Sequence, residues 1–189
     1  MLALASRIEQ ELSARIDDHD MSFRVLYISV AVLISAAGMA ADTKQRLDFD
    51  LLNEPVAISA TPADPRPGTN EVLLLQFWAS WCHSCASLMW DMDELVSQNA
   101  GVNYIAVSLD DEFSDAKDYI IKHKLYDKYS DRYFVDSDKR LSVSLGVETV
   151  PSIMLVDGDG NILVRKAGHL NGADLRDFVT AIRTASHNN

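Results

Sequence analysis

The only two cysteines of this chain, Cys82 and Cys85, stand two residues apart, just behind a nearly continuous apolar run, Val72-Leu73-Leu74-Leu75-Gln76-Phe77-Trp78. Such a run, bounded by polar sequence, reads as a central strand covered on both faces. Behind it Leu88, Met92, Leu95 and Val96 recur at helical spacing, and Gly101 stands where a C-terminal glycine belongs, which predicts a helix from about Cys82. The dithiol is therefore expected at a strand-to-helix junction. There, free backbone N–H groups and the positive end of the helix dipole would face the Cys82 sulfur and lower its pKa below the free value of ~8.5.

Two cysteines in one Cys-x-x-Cys leave no room for a separate disulfide framework within the chain, so their use is reactivity. Disulfide exchange needs an exposed thiolate that attacks and a second thiol that resolves the mixed disulfide. Cys82 is the expected nucleophile and Cys85, one turn further in and less exposed, the resolving thiol. Half a zinc site has the same spacing, but zinc needs two more good ligands. Outside residues 1–20 and the C-terminal tail only His83, His123 and His169 remain, and no metal site is expected.

The rest of the chain alternates strands and helices. Phe49 to Leu52 and Val56 to Ser59, on either side of Asn53-Glu54-Pro55, read as a short hairpin, followed by a loop from Thr61 to Gly68 with three prolines. Val102 to Leu109 is a second buried strand, Asp115 to His123 a helix, Tyr133 to Val135 an extended piece and Lys139 to Leu145 a short helix. Ser152 to Val156 and Ile162 to Arg165 flank Asp157-Gly158-Asp159-Gly160-Asn161 and form an antiparallel hairpin. That loop lacks the twelfth-position Glu and flanking helices of a calcium loop, and reads as a turn. A last helix runs from about Ala173 to Arg183.

The N-terminal segment, residues 1–40, carries an address, and the domain proper is residues 41–189. From Val25 to Ala37 every residue is apolar or small, Arg24 precedes the run, and Gly38-Met39-Ala40 offers small residues before a cut after Ala40. This is a secretory signal pattern, and a retained membrane anchor is the alternative, because the apolar core of 13 residues falls short of the ~20 that span a bilayer. Residues 1–20 are acidic rather than basic, so Met21 makes the more ordinary start. The whole chain has a formal charge of −11, which argues against nucleic acid as a partner.

Gln76-Phe77-Trp78-Ala79-Ser80-Trp81-Cys82-His83-Ser84-Cys85 resembles the active-site strand and helix start of thioredoxins, and Thr149-Val150-Pro151 resembles their cis-proline segment. From about Leu47 to Arg183 the layout is similar to the extracytoplasmic TlpA/ResA group of thiol:disulfide oxidoreductases. The resemblance implies an α/β thioredoxin fold: three layers, α/β/α, around a mixed central sheet, with an N-terminal β-hairpin and an inserted helix, here Asp115 to His123. It also implies a cis Val150–Pro151 bond packed opposite the dithiol, with Val150 offering backbone hydrogen bonds to an extended substrate segment. Trp81 is expected to add flat, amphipathic contact area beside the thiol.

Three departures from the family pattern concern proton handling. Gln76 stands where many thioredoxins place a buried aspartate, Leu88 where the TlpA/ResA group often has a glutamate, and His83-Ser84 replaces a sequence with proline before the second cysteine. The first two leave Cys85 without an evident base, the candidates being water or Glu148. His83, if protonated near Cys82, would favour the thiolate, and Ser84 would donate to the same sulfur; the competing account has His83 facing solvent. His169 either faces the active site or is a surface histidine.

The expected activity is reduction of disulfides in secreted client proteins, with apocytochrome c among the usual clients of the group and a membrane thiol carrier as electron donor. No cofactor is expected besides the redox-active pair. A dithiol oxidase on the same residues is the first alternative. The second is a Cu(I)-carrying module in which Cys82 and Cys85, with His169, act as soft ligands.

Overall fold

Every residue of Val72–Trp78 is buried, as a strand with this apolar run requires. The computed structural model describes residues 45–53, 56–59, 62, 64–68, 71–125 and 130–187, all within the unit Lys44–Asn189. The run from Val25 to Ala37, Met21 and the cut after Ala40 lie outside them, as do Glu54 and Pro55 of the expected turn.

Six strands, β1 (Val56–Ala57), β2 (Val72–Trp78), β3 (Val102–Ser108), β4 (Tyr133–Val135), β5 (Ser152–Val156) and β6 (Ile162–Ala167), form one sheet in the order β1-β4-β3-β2-β5-β6. β2 runs parallel to β3 and antiparallel to β5, so the sheet is mixed, with β2 at its centre. Alternate residues of β2 enter opposite layers, as strand pleating dictates. Val72, Leu74 and Trp78 pack with helices α1 (Cys85–Gln98), α2 (Phe113–Lys122) and α4 (Gly172–His187), through Met89, Met92, Ile120 and Phe178. Leu73, Leu75 and Phe77 pack on the other face with Leu47, Leu52 and helix α3 (Arg140–Ser144) through Leu141. This is the three-layer thioredoxin-like arrangement, and α2 is the inserted helix.

The expected N-terminal hairpin does not form. Phe49–Asn53 is a 3-10 helix, and β1 pairs with β4 instead, Val56 opposite Val135. Asp48 supplies the reason: its carboxylate accepts the Asp50 N–H at 3.0 Å and its carbonyl the Leu51 N–H at 3.0 Å. That Asx-type turn coils the chain and sends Leu52 into the core beside Leu47 rather than alternating it across a ladder.

The β5–β6 hairpin forms as expected, and Asp157 organises its loop. One carboxylate oxygen accepts the backbone N–H of Asp159 at 3.0 Å and of Asn161 at 2.8 Å, and the other the Asn161 side-chain amide at 2.9 Å. Gly160 has φ +85°, and its carbonyl accepts the Leu47 N–H at 2.8 Å, so the N-terminal segment crosses the hairpin tip here. A Cβ on Gly160 would come within 2.4 Å of the Leu47 carbonyl oxygen, closer than any side chain tolerates.

Candidate active site

β2 delivers the chain to Trp78, which is wholly buried, and the next three residues turn it outward. The turn is held by Asp110, itself buried at the end of β3. Its carboxylate accepts the Ser80 backbone N–H at 3.0 Å, the Ser80 hydroxyl at 2.7 Å and the Ser108 hydroxyl at 2.6 Å. Hydrogen bonds from three donors are what let a carboxylate persist in a buried place. The Leu109 N–H donates to the Trp78 carbonyl at 2.8 Å, closing the same corner from the backbone.

Cys82 and Cys85 are joined by a disulfide, with Cα atoms 5.5 Å apart. Both are buried, Cys85 completely and Cys82 with 6% of its surface showing. The helix, however, does not start at Cys82. Its first residue is Cys85, Ser84 is the N-cap, and the Ser84 side chain makes no capping bond. The reason lies in α2: the Tyr119 hydroxyl donates to the Cys82 carbonyl at 2.9 Å and accepts the Ala86 N–H at 3.1 Å. The Tyr119 ring lies against Trp78, centroids 5.2 Å apart, and against His123 at 4.3 Å. Burial pushes the Tyr119 phenol above its ordinary pKa, so the hydroxyl keeps its proton and can donate.

Trp81 is 64% exposed beside the disulfide. His83 is exposed and has no hydrogen bond or ion pair among the described residues. Ser84 Oγ lies 3.9 Å from Cys82 Sγ. The Val150–Pro151 bond is cis, and the Pro151 carbonyl accepts the Gly168 N–H at 2.7 Å, which fixes the loop that carries His169. Pro151, His169 and Leu170 share a small open cleft with Ser84, Leu88 and Asp91 of the active-site segment. His169, read with two alternatives from sequence, is exposed at the surface and lines this cleft beside Ser84.

Comparison with known proteins agrees with this geometry. The sequence pattern of the family described as thioredoxin-like matches residues 70–162, which span β2, the dithiol, α2 and the β5–β6 turn. The thiol:disulfide interchange protein DsbE of Yersinia pestis is 28% identical over 159 residues, 77% of this chain and 80% of its own. The thiol-disulfide oxidoreductase ResA of Bacillus thuringiensis is 25% identical over 112 residues, 58% of this chain and 62% of its own. A crystal structure from Chlorobium tepidum, assigned as a thiol:disulfide interchange protein DsbE, superposes with a TM-score of 0.54 at 26% identity, covering 62% of this chain and 82% of that one.

The chain has the thioredoxin-like fold. It is a thiol:disulfide oxidoreductase similar to the group that includes DsbE and ResA.

Against the thioredoxin-like background the departures have definite surroundings. Gln76 is wholly buried, and its side-chain carbonyl accepts the Tyr104 hydroxyl at 2.8 Å. Its amide nitrogen and the Trp78 indole N–H have no hydrogen-bond partner among the described residues. An amide that only accepts from a phenol takes no proton from Cys85. Leu88 is buried in the cleft, so no carboxylate enters from that position, and Glu148 is exposed.

Sequence reasoning missed Asp110, Tyr119 and Asp91. Asp110 carried a weak signal as an acid just past a buried strand. Tyr119 carried none, because its spacing on α2 matches an ordinary core position, and nothing in the sequence sets Asp91 apart from the chain's other acids.

Proposed function

We propose that this chain reduces disulfides of client proteins outside the cytoplasm. The Cys82 thiolate attacks one client sulfur, the S–S bond breaks, and the other client sulfur leaves as a thiolate that takes up a proton. Cys85, once deprotonated, attacks Cys82 Sγ, re-forming the Cys82–Cys85 bond and releasing the second client sulfur as a thiol. Two electrons pass from the dithiol to the client, and a membrane thiol donor restores the pair.

The observation that carries the reading is the Cys82–Cys85 disulfide with Ser84, between its two cysteines, lining the same cleft as Pro151. An extended client segment would lie across Trp81 and the Val150–Pro151 backbone, with Asp91 and His169 as the charged or chargeable groups in its path. His83 bears on direction. Its side chain is exposed and has no partner among the described residues, and we read it as turned to solvent rather than to the Cys82 sulfur. Ser84 keeps its role as a donor to the Cys82 sulfur.

Residues 1–40 serve as the export signal or anchor of this domain. Among the described residues no helix is long and apolar enough to cross a membrane. N-terminal sequencing of the protein from its own host distinguishes a cut after Ala40 from a retained segment.

The direction is tested by the reduction potential of Cys82/Cys85, read by alkylation mass shift after equilibration in glutathione or dithiothreitol buffers. A reductase gives about −200 mV or lower; a value near −120 mV assigns the oxidase activity instead.

A further inference from the structure

The Tyr119 hydroxyl stands between two groups that an uninterrupted helix would join directly. Cys82 C=O and Ala86 N–H are four residues apart, the spacing of an α-helical hydrogen bond. Here each instead bonds the phenol, at 2.9 and 3.1 Å. A side chain inserted into the helical ladder in this way stops or bends a helix, and α1 indeed begins only at Cys85. The Cys85 N–H, in turn, points at the Cys82 carbonyl, 3.4 Å away.

We propose that Tyr119 is a positioning residue that tunes the redox couple: its hydroxyl wedges open the first turn of α1 and holds Cys82 off the helix N-terminus. If the wedge is removed, the Ala86 N–H closes on the Cys82 carbonyl and Cys82 becomes the N-cap. The amides of the first turn then face its sulfur, where orphan helix donors stabilise a thiolate. A stabilised thiolate makes the dithiol form easier to reach and the disulfide more oxidising. The tyrosine therefore keeps the couple reducing. The inserted helix, which supplies it, acquires a role in setting the chemistry as well as in packing. This inference deepens the reductase reading, but its central claim is a direction of change rather than an absolute potential.

The titratable or charged groups around Tyr119 and the dithiol segment are His123 against its ring, Asp110, Asp91 and His169 in the cleft beside Ser84, and His83 next to Cys82 in the chain, so each measurement is repeated in a His83→Ala background to remove the one adjacent to Cys82 in sequence. In the full chain, Tyr119→Phe keeps the ring against Trp78 and His123 and removes only the hydroxyl. The expected result is a lower apparent pKa for Cys82 alkylation and an equilibrium with glutathione shifted about tenfold toward the dithiol, about 30 mV. An unchanged or raised pKa in a cooperatively folding variant overturns the proposal. Should the variant not fold, the native chain decides. A hydrogen-bond scalar coupling between the Ala86 nitrogen and the Cys82 carbonyl carbon in the reduced wild type means the turn is already closed, and overturns it. A shift in the expected direction from an absolute value in the oxidising range would overturn the reductase reading alone.

Discussion

Asp110 shows how one side chain holds a reactive turn. Its carboxylate gathers the Ser80 N–H, the Ser80 hydroxyl and the Ser108 hydroxyl, so Asp110→Ala strands three donors at once, two of them on or next to buried strand ends. Hydrogen bonds to a charged acceptor contribute about 1.5–3 kcal/mol each, with partial recovery where water reaches the turn. We expect Asp110→Ala to lower unfolding free energy by about 2–4 kcal/mol in urea titrations and to slow insulin reduction at temperatures where it remains folded. Asp110→Asn, which keeps an acceptor for Ser80, should lose less on both measures. Equal losses in the two variants would show that the negative charge, rather than the hydrogen bonds, does the holding.

At the scale of elements, the 3-10 helix Phe49–Asn53 and the tip of the β5–β6 hairpin depend on one another. The Leu47 N–H to Gly160 carbonyl bond and the Arg46–Asn161 bridge join them, and Leu47 and Leu52 fill the face of the sheet that α3 leaves open. Gly160→Ala adds a methyl group at φ +85° against the Leu47 carbonyl. The strained backbone alone costs about 1–3 kcal/mol, and the clash must displace the N-terminal segment. The expected outcome is a lower unfolding midpoint and faster amide exchange at Leu47, with the reduction potential unchanged because Cys82 and Cys85, just before and at the start of α1, pack in the layer across the sheet from Leu47. At the opposite end of the hairpin, Lys166 bridges from β6 to Asp174 and Asp177 of α4 at 3.0 Å each. Lys166 and Asp174 are half-buried and Asp177 is exposed, so each pair adds little to stability.

Stability of the whole molecule should depend on alkaline pH through Tyr104. Burial, and to a lesser extent the neighbouring Tyr133 and Asp93, push its phenol well above the ordinary value of 10.0. The neutral form is the one the folded state holds, since its O–H donates to Gln76. Below about pH 10 folded and unfolded chains both keep the proton, and the stability is fully present. Above it the unfolded chain ionises first, so stability falls as pH rises. Urea midpoints should decline from about pH 10 upward, and Tyr104→Phe should flatten that decline while costing stability at neutral pH. A midpoint in wild type that does not change between pH 9 and 11 would contradict the buried neutral phenol.

Much of the architecture was legible because it rests on local chemistry. The apolar run Val72–Trp78 could only be a covered strand, and the helical spacing behind Cys85 and the glycine-rich turn at Asp157–Asn161 each point to one local structure. The cysteine pair named its own reactivity, because two thiols separated by two residues and no others in the chain leave little else to do. What failed was local structure decided elsewhere. Phe49 to Leu52 looked like a strand, but Asp48 and a distant hairpin tip coiled it. The first turn of α1 looked ready to begin at Cys82, but a phenol 37 residues away occupies its ladder. Sequence periodicity records which faces are apolar; it does not record which backbone donor meets which distant acceptor. The dithiol and its strand and helix were therefore written in the chain, whereas the exact start of that helix, and with it the surroundings of the Cys82 sulfur, was decided only when α2 packed against it.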